Sequence, residues 1–488
     1  MPISPILCIA GLVVIIYFLW TRRRYYKLML KLPGPLGLPF LGSAPDFIIN
    51  KFKMNQRTMY MDKYGSTLLT WIGIQPVILS RDPKIAEDVL TSPQCLHRTS
   101  RVTKAIGSVL GPGLLSLKGT SWIKRRKLLN ASFKQNVLLS FLSIFNAESR
   151  LLVSQIDSIV GQGETDLLPQ LVRWSFSIAH QTTLDITQTE ERNLRTKAIL
   201  ESWASLVNMI VIKVLIPFCQ NNTVSNIFGL EEKTKKINTH LSKIIDNKLL
   251  SKPESYSVST SKSVICQLME LYGKGKISFE EIRGECCNII QAAIDTTSVT
   301  VNHNLILLAM FPKYQELVFE ELKGVFPAGG DFEVEHEDLQ KLLYLDHVFN
   351  ETLRLFPPIP FSIRDATEDF FLSNGVLVPK GVILGIDIFN MHRNRDLWGH
   401  DADSFNPDRF LAVDDRQRHP YAFIPFSKGR RNCIGWKYAQ ISIKIALARV
   451  LRNFTITTTF QYKDLVSVDN IVMKLNKPPL LNFKRRTS

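Results

Sequence analysis

The chain has 488 residues, of which 45% are hydrophobic, enough for one large domain or two or three ordinary ones with a sizeable core. A net charge of +16 leaves nucleic acid, a membrane surface or an acidic protein as partners. The basic residues are scattered, with no zinc-finger spacing and no RNA-recognition pattern, so nucleic acid is the weakest of the three. The seven cysteines are odd in number and include no C-x-x-C pair, which argues against a disulfide framework and for a reducing compartment.

Residues 3–20 form an uncharged apolar run, and Arg22, Arg23 and Arg24 follow it. A spanning helix needs roughly 20 apolar residues. A signal peptide would carry its positive charge before the run and small residues at a cleavage site. The pattern predicts an uncleaved anchor over 1–21, with the N-terminus lumenal and all that follows cytosolic. Residues 22–42 are basic and then proline-rich, a hinge whose segment 32–42 is stiff and cannot be helical. Residues 67–80 predict a hairpin turning around Gly73–Gln75.

Within 113–133, Trp122 and Arg126 stand one helical turn apart, so both donors could reach one anionic group. Lys124, Arg125 and Lys127 read as a solvated basic patch. Residues 137–250 are helical by pattern. The apolar stretch 206–230, broken by Pro217, reads as buried helix packing, and 251–263 as a polar loop. Residues 279–310 predict a long helix with Asp295-Thr296-Thr297 at its middle. These residues are poor in helix interiors, because their side chains compete for backbone carbonyls. The string reads as an exposed polar turn or as a relay that carries protons.

Glu351 and Arg354 lie at i and i+3 of a helix ending before Pro357. Residues 371–378 and 381–388 alternate like paired strands, 398–418 form an irregular meander, and 454–483 hold short strands. Between meander and tail, Cys433 is ringed by Gly429, Arg431 and Gly435 just before another helical run. A thiolate there is a soft ligand suited to iron. The glycines let backbone turn sharply or lie against a flat cofactor. Arg431 suits an acidic group, and Phe426 a shielding role.

The spacing Phe426-x-x-Gly429-x-Arg431-x-Cys433-x-Gly435 resembles the haem-binding loop of the cytochromes P-450. The proline-rich hinge, Trp122-x-x-x-Arg126, Asp295-Thr296-Thr297, Glu351-x-x-Arg354 and the Asn406–Phe410 segment resemble that family's other motifs, in the same order. The texture is most similar to the fourth clan of animal microsomal enzymes, with an insect-like flavour. The resemblance implies a mainly α fold with small β-sheets, with 43–488 forming one haem-containing catalytic domain.

It implies haem b (iron protoporphyrin IX) with Cys433 as its axial ligand and Trp122, Arg126, Arg364 and Arg431 on its propionates. Asp295 and Thr296 would be the acid and alcohol of the proton relay, with Thr297 supporting. Glu351, Arg354 and Arg409 would form a structural clamp. Ala293 stands where the family usually has glycine. Ala292 replaces a glutamate that can become ester-linked to haem, so the Cys433–iron bond is the one covalent tie expected. The implied reaction is insertion of one oxygen atom of O2 into a lipophilic substrate at the endoplasmic reticulum membrane. Electrons would come from NADPH through cytochrome P-450 reductase, with cytochrome b5 as a further partner. Lys428, Arg430 and Lys437 are docking contacts or generic solubility in equal measure. A haem-thiolate isomerase or dehydratase and a non-catalytic haem carrier are the alternatives.

Overall fold

The computed structural model describes residues 5–38, 41–43, 45–46, 55–186, 205–214, 221–227, scattered positions between 229 and 250, 262–411, 418–468 and 471–486. It is mostly helical with small sheets. The chain forms two compact units, each assembled from separated stretches. One holds Met1–Thr99, Phe361–Gly399 and His419–Arg431; the other holds Ser100–Pro360, His400–Arg418 and Asn432–Ser488.

The first unit opens with α1 (Pro5–Tyr26). Among the described residues no helix is long and apolar enough to cross a membrane. The basic end of α1 is tied down: Arg24 pairs with Asp369, the Tyr25 hydroxyl donates to the Lys380 carbonyl at 3.1 Å, and Tyr26 packs on Trp71. The proline-rich segment is non-helical, as its missing donors require. It runs along β1 (Thr67–Ile72): Leu69 N donates to Pro33 O at 2.9 Å and Ser43 N to Trp71 O at 2.7 Å. Pro39 and Phe40 lie outside the described residues.

After α2 (Asn55–Tyr64), β1 turns at Gly73 into β2 (Gln75–Ser80), the expected hairpin, and α3 (Pro83–Thr91) follows. The later strands are β3 (Phe361–Asp365), β4 (Phe370–Phe371), β5 (Leu377–Val378) and β6 (Ile383–Asp387). Here one expectation is corrected. Residues 371–378 pair as a hairpin around Asn374-Gly375 as expected, but 381–388 does not join that ribbon. β4 and β5 pair over two residues only, while β6 inserts between β2, parallel, and β3, antiparallel, in the order β1-β2-β6-β3. Four of the five β6 residues are buried, as in a central strand. Alternation reveals a strand but not its neighbour.

The second unit contains α4 (Ser100–Leu110), α5 (Gly119–Leu129), α6 (Leu142–Asp157), α7 (Leu168–Leu184), α8 (Phe279–Met310), α9 (Leu343–Leu355) and α10 (Trp436–Asn453). Its axis is α8, 32 residues long. A capping box starts it: Ser278 Oγ accepts from Glu281 N, and the Glu281 carboxylate accepts from Ser278 N. Its second half is buried on all sides. Leu305, Ile306, Leu307 and Leu308 are at most 1% exposed, each stabilising the fold by roughly 1.5–3 kcal/mol. Helices α7, α9 and α10 pack along it.

Within 206–230, Leu206, Met209 and Ile210 are buried, in keeping with helix packing, while Pro217 and the rest of 215–220 lie outside the described residues. So do 251–261 of the expected polar loop and 412–417 of the meander. The tail supplies β7 (Phe454–Thr457), β8 (Ser467–Val468), β9 (Lys474–Leu475) and β10 (Asn482–Arg485), in the ribbons β7–β10 and β8–β9.

Candidate active site

Cys433 lies just ahead of α10, whose first backbone N–H groups carry partial positive charge and favour a thiolate. It is exposed, whereas the free thiols of Cys95, Cys266, Cys286 and Cys287 are buried. Burial pushes Cys95 and Cys287 up to about 12, which leaves them inert at neutral pH. Cys433 lines a cleft of about 340 Å³ with Arg126, Phe133, Trp436 and Lys437.

Arg126 reaches this loop from α5. Its Nη1 donates to Asn432 O and its Nη2 to Asn432 Oδ1, both at 2.8 Å, and its Nε donates to Asn130 Oδ1 at 3.0 Å. Burial lowers the Arg126 pKa and the nearby Cys433 raises it, so cation and thiolate favour each other. The sequence directs Arg126 at a cofactor anion; in the structure it grips the loop carrying the cysteine. Trp122, one turn earlier on α5, is buried.

The two glycines differ. Gly429 has φ +74°, and a Cβ there would stand 2.0 Å from Leu90 O, so the chain itself demands glycine. Gly435 has φ −93°, and a Cβ there would meet only the Phe133 ring at 3.7 Å. Among the described residues, none is close enough to demand glycine there.

On α8, the stretch Gln291–Thr296 is partly open while residues on either side are largely buried. Ala292 is exposed, and Ala293, Asp295 and Thr296 are half-buried. Burial raises the Asp295 pKa, and Lys474 on β9 pulls it back down. Thr296 Oγ1 donates to Ala292 O at 2.7 Å, which leaves its lone pairs free to accept a hydrogen bond. Thr297 is buried on the other side, and Ser175 Oγ from α7 donates to Ile294 O at 3.0 Å. Asp295 and Thr296 therefore belong to the opening and Thr297 to its support.

Glu351 and Arg354 on α9 are both fully buried. Arg354 Nε and Nη2 donate to the two Glu351 oxygens at 2.6 and 2.8 Å, and Arg354 Nη1 donates to Ala402 O at 2.6 Å. Asn406 N donates to Glu351 Oε1 at 2.8 Å, and Arg409 Nε lies 3.4 Å from the same oxygen. A surface-type helical spacing has become a core clamp that holds the meander.

In the first unit Arg364, on β3, is 4% exposed. Its Nη1 donates to Ser362 Oγ at 2.8 Å and to Ile363 O at 2.9 Å, both neutral acceptors. Burial, and then repulsion from Arg98, lower its pKa to about 9. The bonds printed for the Arg364 guanidinium go to neutral groups, so its buried charge suits an anionic ligand. Arg431 is also buried here, and Phe426 is half-buried. The chain passes between the units after Arg431.

A family model described as Cytochrome P450 matches residues 32–483. The chain belongs to the cytochrome P450 family. It is 52% identical over 477 residues to the probable cytochrome P450 313a3 of Drosophila melanogaster, covering 97% of each chain. It is 50% identical over 492 residues to the probable cytochrome P450 313a2 of the same organism, covering 100% of each. Cytochrome P450 4c3 of that organism is 28% identical over 500 residues, covering 97% of this chain and 92% of the relative. Membership makes the protein a haem-thiolate monooxygenase in general, with haem bound through a cysteine, a redox partner and a small-molecule substrate.

The residues of this P450 fit haem. Within the second unit, the exposed Cys433 thiol with Arg126 beside it suits an iron-ligating thiolate, and the space at Gly435 suits a flat ring. Several residues at work here were missed from sequence. The Arg125 expectation is corrected: it is buried, not solvated, and pairs with Glu281 and with Glu285 at 3.1 Å. Arg98 stands beside Arg364, and Lys474 beside Asp295. His392 accepts from Ile424 N at 3.0 Å and so fixes the segment leading into the cysteine loop. The one signal available was Glu281 and Glu285, two acids a turn apart on the long helix, which advertise a cation between them.

Proposed function

We propose that this P450 is a microsomal monooxygenase that inserts one oxygen atom of O2 into a lipophilic substrate, using haem b. Electrons come from NADPH through a flavoprotein reductase, with cytochrome b5 as a second donor. The carrying observation is the opening of α8 at Asp295 and Thr296, an acid and an alcohol on a partly open stretch just ahead of the helix's buried second half. Haem, when bound through a thiolate, would supply reductive O2 cleavage, favoured by electron density from the sulfur. Cys433 provides that sulfur, and Arg126 with the start of α10 tempers its charge. Trp122, Arg126, Arg364 and Arg431 would hold the propionates. Asp295, whose burial raises its pKa, and Thr296 would pass protons into the site.

The membrane reading rests on α1, whose Leu12, Val13, Ile15, Ile16, Tyr17 and Trp20 are each more than half exposed, with Arg23 and Arg24 beyond them. Exposed apolar surface of that extent needs a cover. We assign the helix to the endoplasmic reticulum membrane, with the catalytic region cytosolic.

The test is the spectrum of the reduced carbon monoxide complex, followed by NADPH consumption with purified reductase and a lipophilic substrate panel. A thiolate-type Soret band, abolished in Cys433→Ala, is expected. A haem carrier would bind haem and consume no substrate. An isomerase would turn over a peroxide without NADPH, a reading disfavoured by the retained acid–alcohol pair.

A further inference from the structure

Helix α5 is 11 residues long, has no side-chain N-cap bond and carries no acid in its first turn. A helix this short is marginal by itself, so its placement must come from what it packs against. The backbone leading into it lies directly on α8. A Cβ on Gly284 would stand 2.0 Å from Pro112 O, and one on Gly113 would stand 2.5 Å from the Asn288 side chain. Asn288 Oδ1 accepts from Leu115 N at 3.3 Å.

Beside this contact the Glu285 carboxylate, fully buried, bridges loop and helix. Its Oε2 accepts from Leu114 N at 3.0 Å, and its Oε1 accepts from Arg125 Nη1 at 3.1 Å. Arg125, 5% exposed, also pairs with Glu281, which is already engaged in the α8 capping box. Two acids one turn apart on α8 thus hold the arginine that stands between Trp122 and Arg126 in sequence.

We propose that Glu285 is a positioning residue: through Leu114 N and Arg125 it fixes the rotation and depth of α5, and thereby how tightly Trp122 and Arg126 hold the haem. This rests on the reading that those two side chains hold haem. A turn of α5 by one residue would swing both donors by about 100°.

The charged groups facing Glu285 are Arg125 from α5 and Glu281 from its own helix, with Cys286 its neighbour in sequence and the loop offering only backbone. Burial pushes the Glu285 pKa up to about 7, opposed by the Leu114 N–H and by Arg125. Taking up a proton near neutrality removes the charge that grips Arg125 and leaves Glu281 alone on it.

The test is transfer of haem from the purified, loaded full chain to excess apomyoglobin, followed by Soret absorbance from about pH 8.5 to about pH 5.5, a window that brackets the Glu285 titration. Wild-type release should accelerate about tenfold as pH falls through neutrality, the size of one charge-assisted hydrogen bond. Glu285→Gln should release haem fast throughout, without that step. Arg125→Lys, which keeps the charge but loses the fork, should release faster at every pH and keep the step.

A Glu285→Gln variant that retains the wild-type step overturns the proposal. If that variant does not accumulate with haem, Arg125→Lys carries the test, and a wild-type rate and profile for it is the overturning result. Arg126→Leu separates the underlying reading: unchanged haem release from it would sink the role of α5 in holding haem, whatever Glu285 does.

Discussion

Glu351→Ala tests the clamp. Glu351 accepts two hydrogen bonds from Arg354 and one from Asn406 N, and a second cationic group, Arg409 Nε, stands 3.4 Å away. Both Glu351 and Arg354 are 0% exposed. Removing the carboxylate leaves the Arg354 guanidinium buried without a counter-charge, which costs about 3–5 kcal/mol. The orphaned Asn406 amide adds roughly 1–3 kcal/mol, not fully additive. An i,i+3 pair on a helix surface would lose only about 0.2–0.5 kcal/mol. We therefore expect a loss of at least about 4 kcal/mol, most of a typical stability margin, and little haem-loaded protein. The assay is urea unfolding of the full chain, read by tryptophan fluorescence and by loss of the reduced carbon monoxide band. A loss below about 1 kcal/mol, the range of an exposed pair, would refute the clamp. So would wild-type stability in Glu351→Leu with Arg354→Met, because Ala402 O and Asn406 N should then lack partners.

Three further outcomes are expected. Gly429→Ala should damage folding, because its Cβ would collide with Leu90 O, whereas Gly435→Ala should fold normally and lose haem per folded chain; equal effects on yield would contradict the space assigned to a flat group. Asp295→Asn should reduce kcat about 100-fold, and Lys474→Met, by removing the cation that lowers Asp295, should move the pH-rate limb of that acid to higher pH; an unmoved limb would remove Asp295 from the relay. Burial holds His303 neutral with its pKa lowered to about 4 from 6.5, so the unfolded chain binds this proton first and stability falls as pH drops from 6.5 toward 4. The full loss is about 3 kcal/mol, and His303→Leu should flatten the slope over that window in a urea series.

Long helices with one dominant period were readable before any coordinates. The bounds of α8 and the end of α9 before Pro357 match the sequence expectation because capping and proline act locally. The cysteine loop was readable for a different reason: its residue types are fixed by chemistry as well as by fold. Arg125 was misread because a short basic helix looks alike whether it meets water or two acids 156 and 160 residues away in sequence. β6 was misplaced because period-2 alternation specifies a face and leaves the partner open.

The sequence by itself determined the family and the order of its motifs, and nominated Cys433 as ligand and Asp295 with Thr296 as an acid–alcohol pair, since each rests on residue identity at short spacing. Tertiary structure alone decided what each charge does. It turned Glu351–Arg354 from a weak helical pair into a buried clamp, put Arg126 on the cysteine loop, and confined Arg364 beside Arg98. The physical reason is desolvation: the same ion pair changes in worth severalfold between water and a buried site, and burial is set by segments far away along the chain.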